Sequence, residues 1–195
     1  EEQIGEYTLI ITSVSMFGAI ICGRYDMSIV SEDNDSNVYG LIKLSTLVTA
    51  IFSFVVGIGY AIYYNCTSAV KFNFFAVLFW VFFLLFLTGL GNILTSYNNR
   101  NKDYKLISSV NVIREVGRDI SLIGLGILKS GTLGLLISQF VSLSLGLKRQ
   151  SRRLLQNKSI LIDINSNDII SVAKKHIRQP LFSLPANFAN SFSYS

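Results

Sequence analysis

Between Phe72 and Asn99 the chain carries no charged side chain, and the core of that run, FFAVLFWVFFLLFLTGL, is apolar nearly all round a helix. A soluble core helix of that length keeps a polar face for water. A bilayer instead asks for about 20 mainly apolar residues whose backbone polar groups are satisfied within the segment. This stretch therefore selects a membrane-spanning helix. Leu44–Tyr64 is a second uncharged run of that class, and Ser130–Leu147 is a third, just long enough. Tyr7–Gly23 is a fourth, interrupted at its far end by Arg24 and Asp26. Leu106–Leu128 is a fifth, although it holds Arg114, Glu115, Arg118 and Asp119 in its first half. Composition agrees, with 50% hydrophobic and only 15% charged residues, against about 25% charged in soluble domains. The expected fold is an all-α integral membrane protein, a polytopic helical bundle. Its spans fall near 7–30, 42–64, 72–97, 106–128 and 130–148, followed by a basic loop at 149–177 and the start of a further span at 178–195.

The connections orient the bundle, because Lys and Arg concentrate in cytoplasmic loops. Segment 98–105 carries Arg100, Lys102 and Lys105, and segment 148–178 is the richest in Lys and Arg, whereas 65–71 has a single lysine. The cytoplasmic connections are then 31–43, 98–106 and 148–178. The chain starts outside with Glu1 and Glu2, so an earlier span is expected to be missing. The net charge of +5 does not point to nucleic acid, since the basic residues lie between apolar runs and not on one soluble face. Within the last connection, NDIISVAKKHIRQP reads as a short interfacial helix. Asn167 caps it, Asp168 suits the positive helix start, and Ile169, Ile170, Ala173 and Ile177 fall at helical spacings.

Few motifs carry chemistry. GLGILKSGT, residues 124–132, lacks the glycine directly before the lysine that a phosphate loop needs, and no strand precedes it. His176 is the only histidine and has no cysteine near it, so no metal site is expected. Cys22 and Cys66 make no disulfide framework. Asn65-Cys66-Thr67 matches the glycosylation pattern by chance. The informative residues are charges at membrane depth, where an ionisable group is costly unless paired or hydrated. Arg114 and Arg118 are four apart and share a helix face, which suits a bidentate anion such as a phosphate. Glu115 and Arg118 are spaced to neutralise each other, while Arg114 has no acidic residue three or four away. Snorkelling at the interface is the competing reading.

GEYTLIITSVSMFGAIICGRYDMSIV, with Gly5, Tyr7 and Leu9 and then Arg24, Tyr25, Asp26, Ile29 and Val30, resembles the second span of bacterial polysaccharide flippases. These are the O-antigen branch of the multidrug/oligosaccharidyl-lipid/polysaccharide exporters. YNNRNKDYKLIS looks like that family's fourth-to-fifth connection, and AKKHIRQPLFSLPANFANSFS is similar to its seventh-span entry. The resemblance covers almost the whole chain. It implies the N-terminal lobe of a two-lobe, MATE-like fold, here spans two to six and the start of seven. It also implies flipping of an undecaprenyl-pyrophosphate-linked oligosaccharide across the bacterial cytoplasmic membrane, for O-antigen, capsule or exopolysaccharide, by rocking of one lobe against the other. The partners implied are that lipid-linked oligosaccharide, membrane lipids, and polysaccharide polymerase and chain-length proteins. No cofactor is implied beyond proton or cation coupling, and no enzyme activity. Charge assigns Arg24, Arg114 and Arg118 to the pyrophosphate or glycan, and Asp26, Glu115 or Asp119 to ion coupling. The 114–119 cluster departs from the family pattern. Pro180 suits a first helical turn and Pro185 a kink that serves as a hinge. A drug or metabolite exporter of the same superfamily and a membrane scaffold of a glycan polymerase complex remain the alternatives.

Overall fold

A computed structural model describes residues 2–67, 73–128, 131–156 and 166–194. These residues form α1 (Glu2–Gly18), α2 (Tyr25–Ser31), α3 (Asp35–Thr67), α4 (Phe74–Arg100), α5 (Tyr104–Ile127), α6 (Gly131–Ser144), α7 (Leu147–Gln156), α8 (Ser166–Lys175) and α9 (Leu184–Tyr194). A π-helical turn, Gln179–Ser183, leads into α9. Among the described residues no strand is present. Among the described residues three helical segments are long and apolar enough to cross a membrane: Asp35–Cys66, Phe74–Arg100 and Gly131–Gln156.

The uncharged run that selects a span becomes α4, the centre of the bundle. It packs against α1, α2, α3, α5, α6 and α7. Val81, Leu84 and Leu85 are fully buried at its middle. Close approach is possible because α4 carries Gly89 where α3 crosses. A Cβ there would sit 2.3 Å from Thr49 Cγ2. Small residues at such crossings are how membrane helices gain van der Waals contact without a hydrophobic drive between them.

The predicted boundaries shift at several points. The first predicted span, 7–30, is not one helix. α1 stops at Gly18, residues 19–24 turn, and α2 restarts at Tyr25. Gly23 and Arg24 take left-handed backbone angles, φ 59° and 63°, which end a right-handed helix. The predicted span 130–148 falls almost wholly within the apolar segment Gly131–Gln156, with a break inside it. Gly146, at φ 81°, turns the chain after α6, and its Cα presses on the buried Val110 of α5 so closely that a Cβ would lie 2.4 Å from Val110 Cγ1. In the basic loop 149–177 the described residues 149–156 belong to the end of α7, and the expected interfacial helix is α8. In α8 the docked residue is Val172, 3% exposed against Gly40 of α3, while Ile170 and Ile177 stay exposed. Only α5, among the remaining predicted spans, has the length without the composition: it runs over 24 residues with the four charges intact.

Both cysteines are free, Cys22 buried and Cys66 exposed. Pro180 lies in the π turn, and Pro185 follows as the second residue of α9, inside a helical run that has already begun. α9 leans on α1 through Phe188 and Phe17, whose rings are 6.1 Å apart. Lys129, Lys158 and position 195 lie outside the described residues.

Candidate functional site

The broken helix is held open by its neighbours. Breaking a helix frees carbonyls that membrane surroundings cannot solvate. Asn92 of α4 answers the first, its Nδ2 donating to Gly18 O at 3.0 Å. Thr49 Oγ1 of α3 donates to Cys22 Sγ at 3.4 Å, and Cys22 Sγ donates to Gly89 O at 3.5 Å. The turn is thus tied to both helices that flank it. Behind it Asp26 is 6% and Ser28 0% exposed. Arg24 extends from the turn, with one terminal nitrogen donating to Ala19 O at 3.4 Å and a buried Nε that has no partner. Arg24 and Asp26 are within electrostatic reach of each other, yet no ion pair joins them among the described residues. α2 is seven residues long, which sets Arg24 about 10 Å in from the α2–α3 connection.

The four charges of α5 divide into two groups. Arg114 turns inward. Its Nε donates to Leu145 O at 3.1 Å, and a terminal nitrogen reaches Gln150 Oε1 at 3.5 Å. Its guanidinium lies against the backbone of Gly91. Ser142 Oγ closes the other side by donating to Arg114 O at 3.0 Å. Arg114 therefore satisfies the carbonyl left at the α6–α7 turn. Arg118 stays near the surface, paired with Glu115 and with Asp119. Arg118 is also within electrostatic reach of Tyr7 on α1. The shared helix face expected for Arg114 and Arg118 does not make one anion cradle, since the protein's own carbonyl occupies Arg114.

At the end of the bundle where the basic connections meet, the helices are laced by ion pairs. Arg100 joins Asp35 at 2.8 Å, and Arg153 of α7 joins Asp103 at 2.7 Å. Arg100 also donates to Glu32 O and Asp33 O, both at 3.0 Å. Glu32 is an enclosed acid at this end, with its side chain 4% exposed. Its carboxylate accepts from Lys175 Nζ at 2.7 and 2.8 Å, from His176 Nε2 at 2.7 Å and from Asn37 Nδ2 at 3.1 Å. Lys175 first, against the opposing effect of burial, and then Asn37, His176 and the Asn34 amide hold the Glu32 carboxyl down at about 2. Connections 31–43, 98–106 and 148–178 are thereby gathered at one end, which we call the basic end.

Sequence reasoning singled out charges and passed over neutral polar residues. Thr49, Asn92, Asn98 and Gln150 are the residues that position the break and the Arg114 node. Asn98 and Gln150 are both fully buried, and Asn98 Nδ2 donates to Gln150 O at 3.2 Å. The available signal was an asparagine inside a run of phenylalanine and leucine, where an unpaired amide is costly. Among the described residues no cluster of His, Cys, Asp and Glu could hold a metal ion. Comparison with protein-family models, with curated proteins and with solved structures gives no match for this chain.

Proposed function

We propose that the chain is part of a membrane transporter that flips a polyprenyl-diphosphate-linked oligosaccharide across a bacterial cytoplasmic membrane, with the basic end facing the cytoplasm. The observation that carries this reading is the break between α1 and α2 at residues 19–24, which holds Arg24 and Asp26 beside α3 and α4. Broken helices placing charge at depth are a recurring way for transporters to build a substrate or ion site. In this reading Arg24 and Arg118 meet the diphosphate, and Arg114 keeps the α6–α7 turn in place beside them. Asp26, Glu115 and Asp119 are the carboxylates available for ion coupling. The π turn and Pro185 form the hinge toward a following lobe.

The test is complementation of a strain lacking its own flippase by the full-length protein. Surface polysaccharide should return. Arg24→Ala and Arg118→Ala should each abolish it at unchanged membrane abundance, whereas Arg114→Ala should lower abundance. Restored drug resistance without restored polysaccharide would replace the reading with drug export. Normal polysaccharide in Arg24→Ala and Arg118→Ala would remove both residues from the substrate path.

A further inference from the structure

Two adjoining cavities open at the basic end beside α5 and α7. One, of about 800 Å³, is bordered by Lys148, Arg149 and Arg152, with Ile113 and Leu155 as apolar walls. The other, of about 530 Å³, is bordered by Lys105, Ser109 and again Arg149. Lys105, Lys148, Arg149 and Arg152 form no ion pair among the described residues. The single acid at the rim, Asp103, is already paired with Arg153. So many uncompensated cations around shared space call for an anion, and the two compartments meeting at Arg149 give it two places to sit.

The cavities are also the head of an apolar track. Ile113, Val116, Ile120, Ile123 and Ile127 recur at three and four residues along α5, and each is exposed, from 38% at Ile113 to 77% at Ile127. They cover about 21 Å of helix length. Lys105 and Ser109 continue the same face into the smaller cavity, as residues four apart do. The inward residue Arg114 lies on the opposite face. A soluble anion has no use for such a track, whereas a hydrocarbon chain follows it.

We propose that this groove binds an anionic bilayer lipid whose head group carries two phosphates. One phosphate lies between Lys105 and Arg149, the second between Lys148 and Arg152, and an acyl chain runs along the isoleucine face of α5. The amphipathic helix α7 is thereby fixed at the membrane surface, since its buried face, Gln150 and Leu154, already docks on α4 and α5. Basic pockets at helix ends take such head groups. The binding is independent of what the protein transports.

The experiment uses the full-length protein in nanodiscs of neutral phosphatidylcholine, doped with cardiolipin or with phosphatidylglycerol, and reads the lipid retained by native mass spectrometry. Cardiolipin should be retained at least tenfold over phosphatidylglycerol. Lys148→Ala/Arg149→Ala/Arg152→Ala should reduce its affinity on the order of a hundredfold, while Lys174→Ala, a basic change outside the groove, should not. Arg149→Gln alone, which keeps α7 amphipathic, should already lower the cardiolipin preference, so loss of folding in the triple variant does not decide the matter. A cardiolipin with a photoreactive acyl chain should label α5. Equal retention of the two lipids, equal retention by Arg149→Gln and the native protein, labelling absent from α5, or full competition by inorganic pyrophosphate would each overturn the proposal. Failure of the complementation test with cardiolipin retained would overturn the transport reading alone.

Discussion

Replacing Glu32 with glutamine removes one charge from the latch that ties α8 to the rest of the bundle. Glu32 is nearly inaccessible and receives Lys175 and His176 at 2.7 Å, so glutamine leaves two donors facing a neutral amide. Lowering of its carboxyl from 4.5 to about 2 corresponds to about 3 kcal/mol. Lys175 is 53% exposed, and water screens its share, which brings the usable figure nearer 2 kcal/mol. Because α8 docks chiefly on α3, this energy bears on local release of α8 rather than on unfolding of the bundle. Val172, buried against Gly40, is the reporter. In a Val172→Cys background, Glu32→Gln should speed maleimide labelling about 30-fold, the ratio that 2 kcal/mol supplies. The sign with pH follows from a carboxyl held low in the folded state. The latch is fully present above pH 4.5 and is lost as pH falls toward 2. Labelling that stays slow in Glu32→Gln would refute the reasoning, as would a native latch that does not loosen as pH falls from 4.5 toward 2.

Three other outcomes are expected. Gly89→Ala should destabilise by about 1–3 kcal/mol through overpacking, because the new Cβ would lie 2.3 Å from Thr49 Cγ2 and 3.0 Å from Ile21 Cγ2. Adding Thr49→Ser, which deletes that methyl, should recover part of the loss in a thermal melt of the detergent-solubilised protein. Asn92→Ala should cost about 1 kcal/mol by orphaning the Gly18 carbonyl, and hydrogen exchange should rise in residues 18–24 while the middle of α4 is unchanged. In intact cells a membrane-impermeant maleimide should label native Cys66, exposed at the far end of α3, and should not label a cysteine introduced at Arg152; the reverse pattern would invert the orientation.

Much of the architecture was legible because the solvent around a helix is written residue by residue. FFAVLFWVFFLLFLTGL had no polar face to give to water, and it became the central helix. The i, i+3 spacing of Glu115 and Arg118 likewise became an ion pair, since a helix fixes that distance by itself. The division of Lys and Arg among connections foretold which loops would meet at one end, although the lattice of partners there was not readable. Glu32 meets Lys175 across 143 positions, and no local pattern encodes that pairing.

Apolar content alone selected a helical membrane bundle, because a helix closes its backbone hydrogen bonds within itself; of the five spans expected, three segments among the described residues have both the length and the composition to cross a membrane. Where a helix must break, and what a charge inside it does, depends on groups that arrive from elsewhere. Residues 7–30 have the hydropathy of one span, yet Asn92, 74 positions from Gly18, supplies the donor that lets α1 stop there. Arg114 looks like an unpaired ligand for an anion until the α6–α7 turn brings Leu145 O to its Nε. Tertiary structure decided those two points, because a polar group in a medium without water takes the partner that packing delivers.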